Sequence, residues 1–165
     1  MSKTKPLAIA AALSVALLGG LASDAYAVSE INVAPGKTLA GPGIAVHGYD
    51  TVAYFTEGKP VQGSAEHSVV HAGATYRFAS ADNMKAFQAN PAKYVPAYGG
   101  FCAYGVAVGA KFDGDPRYWK IVDGKLYLNL NKKIQDTWLK DVPGNIGKAE
   151  KSWTKIKHSD PATLG

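Results

Sequence analysis

The 165 residues contain one cysteine, Cys102, so neither an internal disulfide nor a zinc site of paired Cys-x-x-Cys ligands can form. Also absent are a His-Glu-x-x-His pair, a serine nucleophile elbow and a glycine-rich phosphate loop; Gly41-Pro42-Gly43 lacks the spacing and the following helix. Zinc-protease, serine-hydrolase and nucleotide-dependent chemistry are therefore not expected. There is no Arg-Arg pair and no cysteine near Ala27 to accept lipid, which argues against twin-arginine export and lipoprotein anchoring. The one long apolar run, Leu7 to Ala22, spans ~16 residues, short of the ~20 that cross a bilayer. Neither sign of charge dominates: 18 Lys and Arg face 13 Asp and Glu, a net charge of +5. The lysines of the C-terminal third alternate with Asp136, Asp141 and Glu150, as on a solvated helix face, so nucleic acid is not an expected partner.

What is present begins with a secretory pattern. Lys3 and Lys5, the apolar run and Ala25-Tyr26-Ala27 predict a cleaved signal over 1–27 and a periplasmic or secreted mature chain without a membrane anchor. Pro35, Gly36, Gly41, Pro42 and Gly43 make 28–43 an extended N-terminal arm. Residues 44–157 read as one α+β domain, a small antiparallel sheet built from hairpins packed with short helices, and 158–165 as a flexible tail. Val52 to Phe55 reads as a buried strand. Ser68 to His71 and Thr75 to Ala79 form a hairpin around Ala72-Gly73-Ala74. A second hairpin joins Tyr118–Val122 to Lys125–Asn129 through Asp123-Gly124. Ser80 and Asn131 cap helices, and Phe101 to Val108 is a buried short helix entered through Gly99-Gly100. After a break at Pro143-Gly144-Asn145, a last helix aligns Ile146, Ala149 and Trp153. No internal repeat is visible.

Cys102 leads the candidates for chemistry. A thiolate at a helix start is stabilised by free N–H groups and binds soft metals; the alternative is an inert thiol packed by Phe101 and Tyr104. His47, beside Gly48-Tyr49-Asp50, is a candidate single nitrogen ligand. His67 and His71 stand about 13 Å apart along a strand, too far to share an ion, and His158 lies in the tail. Asp50, Asp113, Asp115 and Asp123 fall in turns, where aspartate is common for backbone reasons. Several tyrosines, Tyr98 and Tyr104 among them, are core candidates that can also line a small-ligand pocket.

The stretches Gly48 to Phe55, Gly73 to Ser80 and Asn90-Pro91-Ala92-Lys93-Tyr94 resemble the YHS domain. With Tyr98 to Tyr104 and Asp123 to Asn129 added, the chain is similar to the exported YHS domain-containing (seleno)protein family from about Ile44 to Trp153. The resemblance implies a small α+β domain without established enzymatic activity and a metal role, with copper the cofactor. In metal-binding relatives the second hairpin strand ends Phe-Cys-Ser and another cysteine follows; here the residues are Phe78-Ala79-Ser80, so that site does not carry over. Selenocysteine replaces the residue matching Cys102 in some members, which implies reactivity or soft-metal affinity there, and His67 resembles a position often held by histidine. Three readings stay open: a metal site of Cys102 with His67 or His47, a thiol redox protein acting with a partner thiol protein, and a module that binds a small ligand or a protein around an inert cysteine.

Overall fold

The structure, a computed structural model, describes residues 30–33 and 43–164. The expected signal and most of the expected arm lie outside the described residues. No helix among those described is long and apolar enough to cross a membrane.

Two antiparallel hairpins carry a single α+β domain. Strand β1 (Ser64–His71) pairs with β2 (Ala74–Phe78), and β3 (Asp115–Val122) pairs with β4 (Lys125–Asn129). The expected single sheet is in fact two separate two-stranded sheets. A lone hairpin is marginal in water, so each one must lay its apolar face on helices. Both turn through two residues of positive φ, Ala72 (49°) and Gly73 (77°) in the first and Asp123 (49°) and Gly124 (72°) in the second. That is the left-handed pair whose twist suits a two-residue connection.

Among the described residues six α-helices complete the fold: α1 (Ala53–Thr56), α2 (Ala81–Ala89), α3 (Pro91–Tyr94), α4 (Ala103–Ala107), α5 (Lys132–Leu139) and α6 (Val142–Ile156). Ser80 Oγ caps α2 by accepting from Asn83 N at 3.1 Å, and Asn131 Oδ1 caps α5 by accepting from Ile134 N at 3.0 Å. Two expectations fail locally. Val52 to Phe55 is helical, because Asp50 Oδ1 accepts from the backbone N of Val52 (2.8 Å) and Ala53 (3.2 Å) and starts a turn of helix there. A four-residue apolar run buries equally well as strand or helix, so its pattern carries no preference. Helix α6 begins at Val142, with Asp141 as its cap, and takes Pro143-Gly144-Asn145 into its first turn. Proline is tolerated there because the N–H it lacks has no helical acceptor.

The element order runs twice. A left-handed turn at Ala45–Gly48 leads through Asp50 to α1, the first hairpin and α2; another at Ala97–Gly100 leads through Cys102 to α4, the second hairpin and α5. Each half has its own core. Tyr76, Phe78, Phe87, Val52 and Tyr54 pack in one, joined by Leu126 and Leu128; Tyr127, Trp138, Phe101, Val106 and Ala149 pack in the other. The described residues of the arm, Glu30 to Val33, lie against the second turn: Asn32 N donates to Gly99 O at 2.9 Å, and Ile31, Asn32 and Val33 are buried.

Candidate functional site

Cys102 is the N-cap of α4. Its backbone N donates to Phe112 O at 2.9 Å, and it bridges to Leu128 of β4, so sheet and loop together place the thiol. The side chain faces inward and the residue is 1% exposed. Gly105 N donates to Sγ at 3.4 Å, and Sγ in turn donates to Asn129 Oδ1 at 3.7 Å, an oxygen that also accepts from Tyr104 N at 3.3 Å. Burial pushes the thiol pKa up, against the smaller opposite pull of the Gly105, Leu130 and Tyr104 N–H groups; the Asp113 carboxylate adds to the rise. The resting group is therefore a neutral thiol that donates to a carboxamide.

Asn129, fully buried at 0% exposure, brings a further irregularity: its Nδ2 has no hydrogen-bond partner. The Tyr104 N–H fixes which amide atom faces the helix, so the orphan is the donor end. An unsatisfied buried donor costs about 1–3 kcal/mol.

His47 sits in the first left-handed turn, where Val46 (φ 51°) and His47 (φ 53°) are both left-handed. Two successive non-glycine residues there, one β-branched, store roughly 1–3 kcal/mol each. The turn delivers His47 Nε2 to Asp113 Oδ1 at 2.9 Å, with both side chains 18% exposed. The same oxygen accepts from Asn32 Nδ2 at 2.6 Å, and Asn32 also donates to Gly100 O at 3.2 Å. A carboxylate thus orients one imidazole nitrogen, as it does behind many ligating histidines. Nearby, burial raises the Asp115 carboxyl, but the hydrogen bonds and charge of Arg117, with His47 contributing less, bring its pKa below the usual value.

The other histidines go elsewhere. His67 lies in β1 between Ser64 and Ser68, where the register shifts, on the hairpin that does not hold Cys102. His71 meets the edges of Phe87 (5.6 Å) and Tyr76 (6.2 Å). His158 pairs through Nδ1 with Glu30 at 2.9 Å. Among the described residues, no three His, Cys, Asp or Glu side chains form a group able to hold a metal. Of the tyrosines, Tyr98 lines an open cleft of about 200 Å³ with Val95, Lys125, Glu150 and Trp153, its hydroxyl donating to Glu150 Oε1 at 3.3 Å.

Two residues escaped the sequence reading. Asp50, treated there as a turn aspartate, is wholly buried; besides Val52 N and Ala53 N it accepts from Ala79 N (2.8 Å) and Asn83 Nδ2 (2.7 Å). Lys111 is buried under α6, its Nζ donating to the carbonyls of Lys157 (2.6 Å) and Ser159 (2.8 Å) and lying 5.2 Å from the ring centres of Phe101 and Trp153. A capping signature beside Thr51 could have pointed to Asp50; nothing about a lysine between Ala110 and Phe112 marks it as internal.

A family model of the YHS domain matches residues 52–98. Over this segment the chain is similar to the YHS domain. The matched segment runs from α1 through the first hairpin, α2 and α3, and ends four residues before Cys102. His67 and His71 are inside this YHS segment; His47, Cys102, Asp113 and Asn129 are outside it. No curated protein and no solved structure matches the chain.

Proposed function

We propose that the protein is a non-catalytic YHS-domain binding module in which His47, steered by Asp113, is the ligand-facing group and Cys102 at rest is a core residue. The observation that carries this reading is the pair of left-handed residues Val46 and His47. Backbone strain of this kind persists only where surrounding packing enforces it, and here its product is a half-buried, carboxylate-oriented imidazole. A small ligand or a partner protein with a group for that imidazole is the class of occupant. Export to the periplasm belongs to the same proposal and rests on the secretory pattern of Met1 to Ala27.

Copper, the metal associated with YHS domains, does not fit a Cys102 site as the residues stand. A Cu(I) site asks for a thiolate with an imidazole or second sulfur in reach. Cys102 is instead a neutral, buried thiol bonded to Asn129, and His67 lies on the other hairpin. Cu(I) titration against a chromophoric chelator, on the wild type, Cys102→Ala and His47→Gly, tests both halves of the proposal. Equal and weak binding by all three is expected. Sub-nanomolar affinity lost in Cys102→Ala would overturn the core-thiol assignment; loss in His47→Gly alone would make a metal ion the ligand of His47.

A further inference from the structure

The two halves of the molecule correspond residue by residue. Ser64 and Asp115 open the two hairpins, Phe78 and Asn129 close them, and each pair is 51 residues apart. The ladders slip at the same place, between Ser64 and Ser68 and between Asp115 and Trp119. Gly63 and Gly114 keep the spacing, and a Cβ on either would run into the matching strand residue, Arg77 or Leu128. Tyr76 stacks on Phe87 at 4.8 Å and Tyr127 on Trp138 at 5.6 Å, with interplanar angles of 32° and 34°. Upstream the offset is 52: Ala45–Gly48 matches Ala97–Gly100, and Asp50 matches Cys102. Asp50 N donates to Val61 O as Cys102 N donates to Phe112 O, at 2.8 and 2.9 Å.

Under this correspondence Cys102 sits in a slot built for a carboxylate. Asp50 is held by the N–H groups of Val52, Ala53 and Ala79 and by the amide of Asn83. Of their counterparts Tyr104, Gly105 and Leu130, Gly105 N donates to Sγ and Tyr104 N to the neighbouring Asn129 Oδ1, while the Leu130 N–H acts with them in favouring the charged form at Cys102; a carboxamide is again in place, this time from Asn129. Only the neutral thiol disturbs the pattern. It turns Asn129 Oδ1 toward sulfur and leaves the fully buried Nδ2 without an acceptor. An anionic group at 102 would release Tyr104 N to itself and let the amide turn over, so that Nδ2 donates as Asn83 Nδ2 does to Asp50.

We infer that residues 97–142 are a second, diverged copy of residues 45–91, and that Cys102 is its modification site, where a sulfinate takes the place of the aspartate carboxylate. The co-reactant is a hydroperoxide small enough to enter the core. Sulfur attacks its distal oxygen, the S–O bond forms as the O–O bond breaks, and the thiol proton leaves with the departing oxygen as water or alcohol. This yields sulfenic acid; a second hydroperoxide repeats the two-electron oxidation and gives sulfinic acid, which ionises. The inference does not depend on His47.

Two measurements test it. Cys102→Asp, a permanent carboxylate, is expected to unfold at higher urea than Cys102→Ala at pH 7, and to lose that advantage as the pH falls through the carboxyl range. Treatment of the folded wild type with hydrogen peroxide is expected to add two oxygen atoms at Cys102 by intact mass and peptide mapping, and to raise the urea midpoint above that of the reduced protein. Cys102→Asp less stable than Cys102→Ala, failure of the folded protein to take up two oxygens at Cys102, or a midpoint lowered by oxidation would each overturn the assignment.

Discussion

The first half of the molecule seats a carboxylate under the start of a short helix and satisfies it with four donors; the second seats a thiol in the same place and leaves a buried amide donor idle. Around these positions the halves agree in turn geometry, strand slip, a glycine packed tightly against the partner strand, and aromatic pair. The frame therefore does not require a thiol, and the first half acts as an internal control for the second. Departures from the shared plan, Cys102 for Asp50, Asn129 for Phe78 and Gly99 for His47, mark where each half has taken its own role.

The largest expected effect lies at the caps. Asp50→Ala leaves the buried Val52 and Ala53 N–H groups without an acceptor, and removes the part-buried acceptor of Ala79 N and the Asn83 amide, so it should cost about 3 kcal/mol or more. Cys102→Ala removes a small side chain and two weak hydrogen bonds, so its cost should be about 1–2 kcal/mol. Urea unfolding of the two variants side by side gives the difference; equal losses would break the comparison.

Next in size is a pH effect confined to the second half. Burial lowers the Lys111 ammonium pKa to about 8 from 10.5, with the Glu30 and Asp160 charges pulling the other way. Between those values the unfolded chain holds the extra proton, so raising the pH from 8 toward 10.5 favours the folded state. Wild type should gain stability on Lys111→Met across that window. A constant difference between the two proteins would mean that Lys111 titrates as an ordinary surface lysine.

Smaller effects sharpen the contrast. Asn129→Leu, which supplies an apolar residue at the place of Phe78, removes one orphan donor and one acceptor and should change stability by less than ~1 kcal/mol. Phe78→Ala at the matching position should cost about 3–5 kcal/mol through the cavity it leaves. His47→Gly loses the Asp113 contact but relieves a left-handed residue, so its net effect should also stay under ~1 kcal/mol, while any ligand-dependent change in melting temperature disappears.

Much of this architecture was legible in the residues. Asp123-Gly124 specified its hairpin because this dipeptide readily takes the left-handed pair of a two-residue turn, and Ser80 and Asn131 announced their helices through side chains that reach the third N–H. The repeat stayed hidden because the halves share roles more than identities: Phe87 and Trp138 do one job, as do Asp50 and Cys102, while the matching cap residues Ser80 and Asn131 differ. His47 was visible as a candidate. Its partner Asp113 was not, since the two are joined only by the packing of one half against the other. The pairing of Cys102 with His67 rested on family resemblance, and the structure sets His67 in the first hairpin and Cys102 at the start of α4, bridged to the second.

The most direct test of the shared slot is an amide nitrogen–proton spectrum of Cys102→Asp beside that of the wild type. If Cys102 occupies a carboxylate slot, the Tyr104, Gly105 and Leu130 backbone amides and the Asn129 side-chain NH₂ move downfield together, toward the pattern of Val52, Ala53, Ala79 and Asn83 around Asp50. Unmoved resonances at those four groups in a folded Cys102→Asp protein would contradict the correspondence between the two halves.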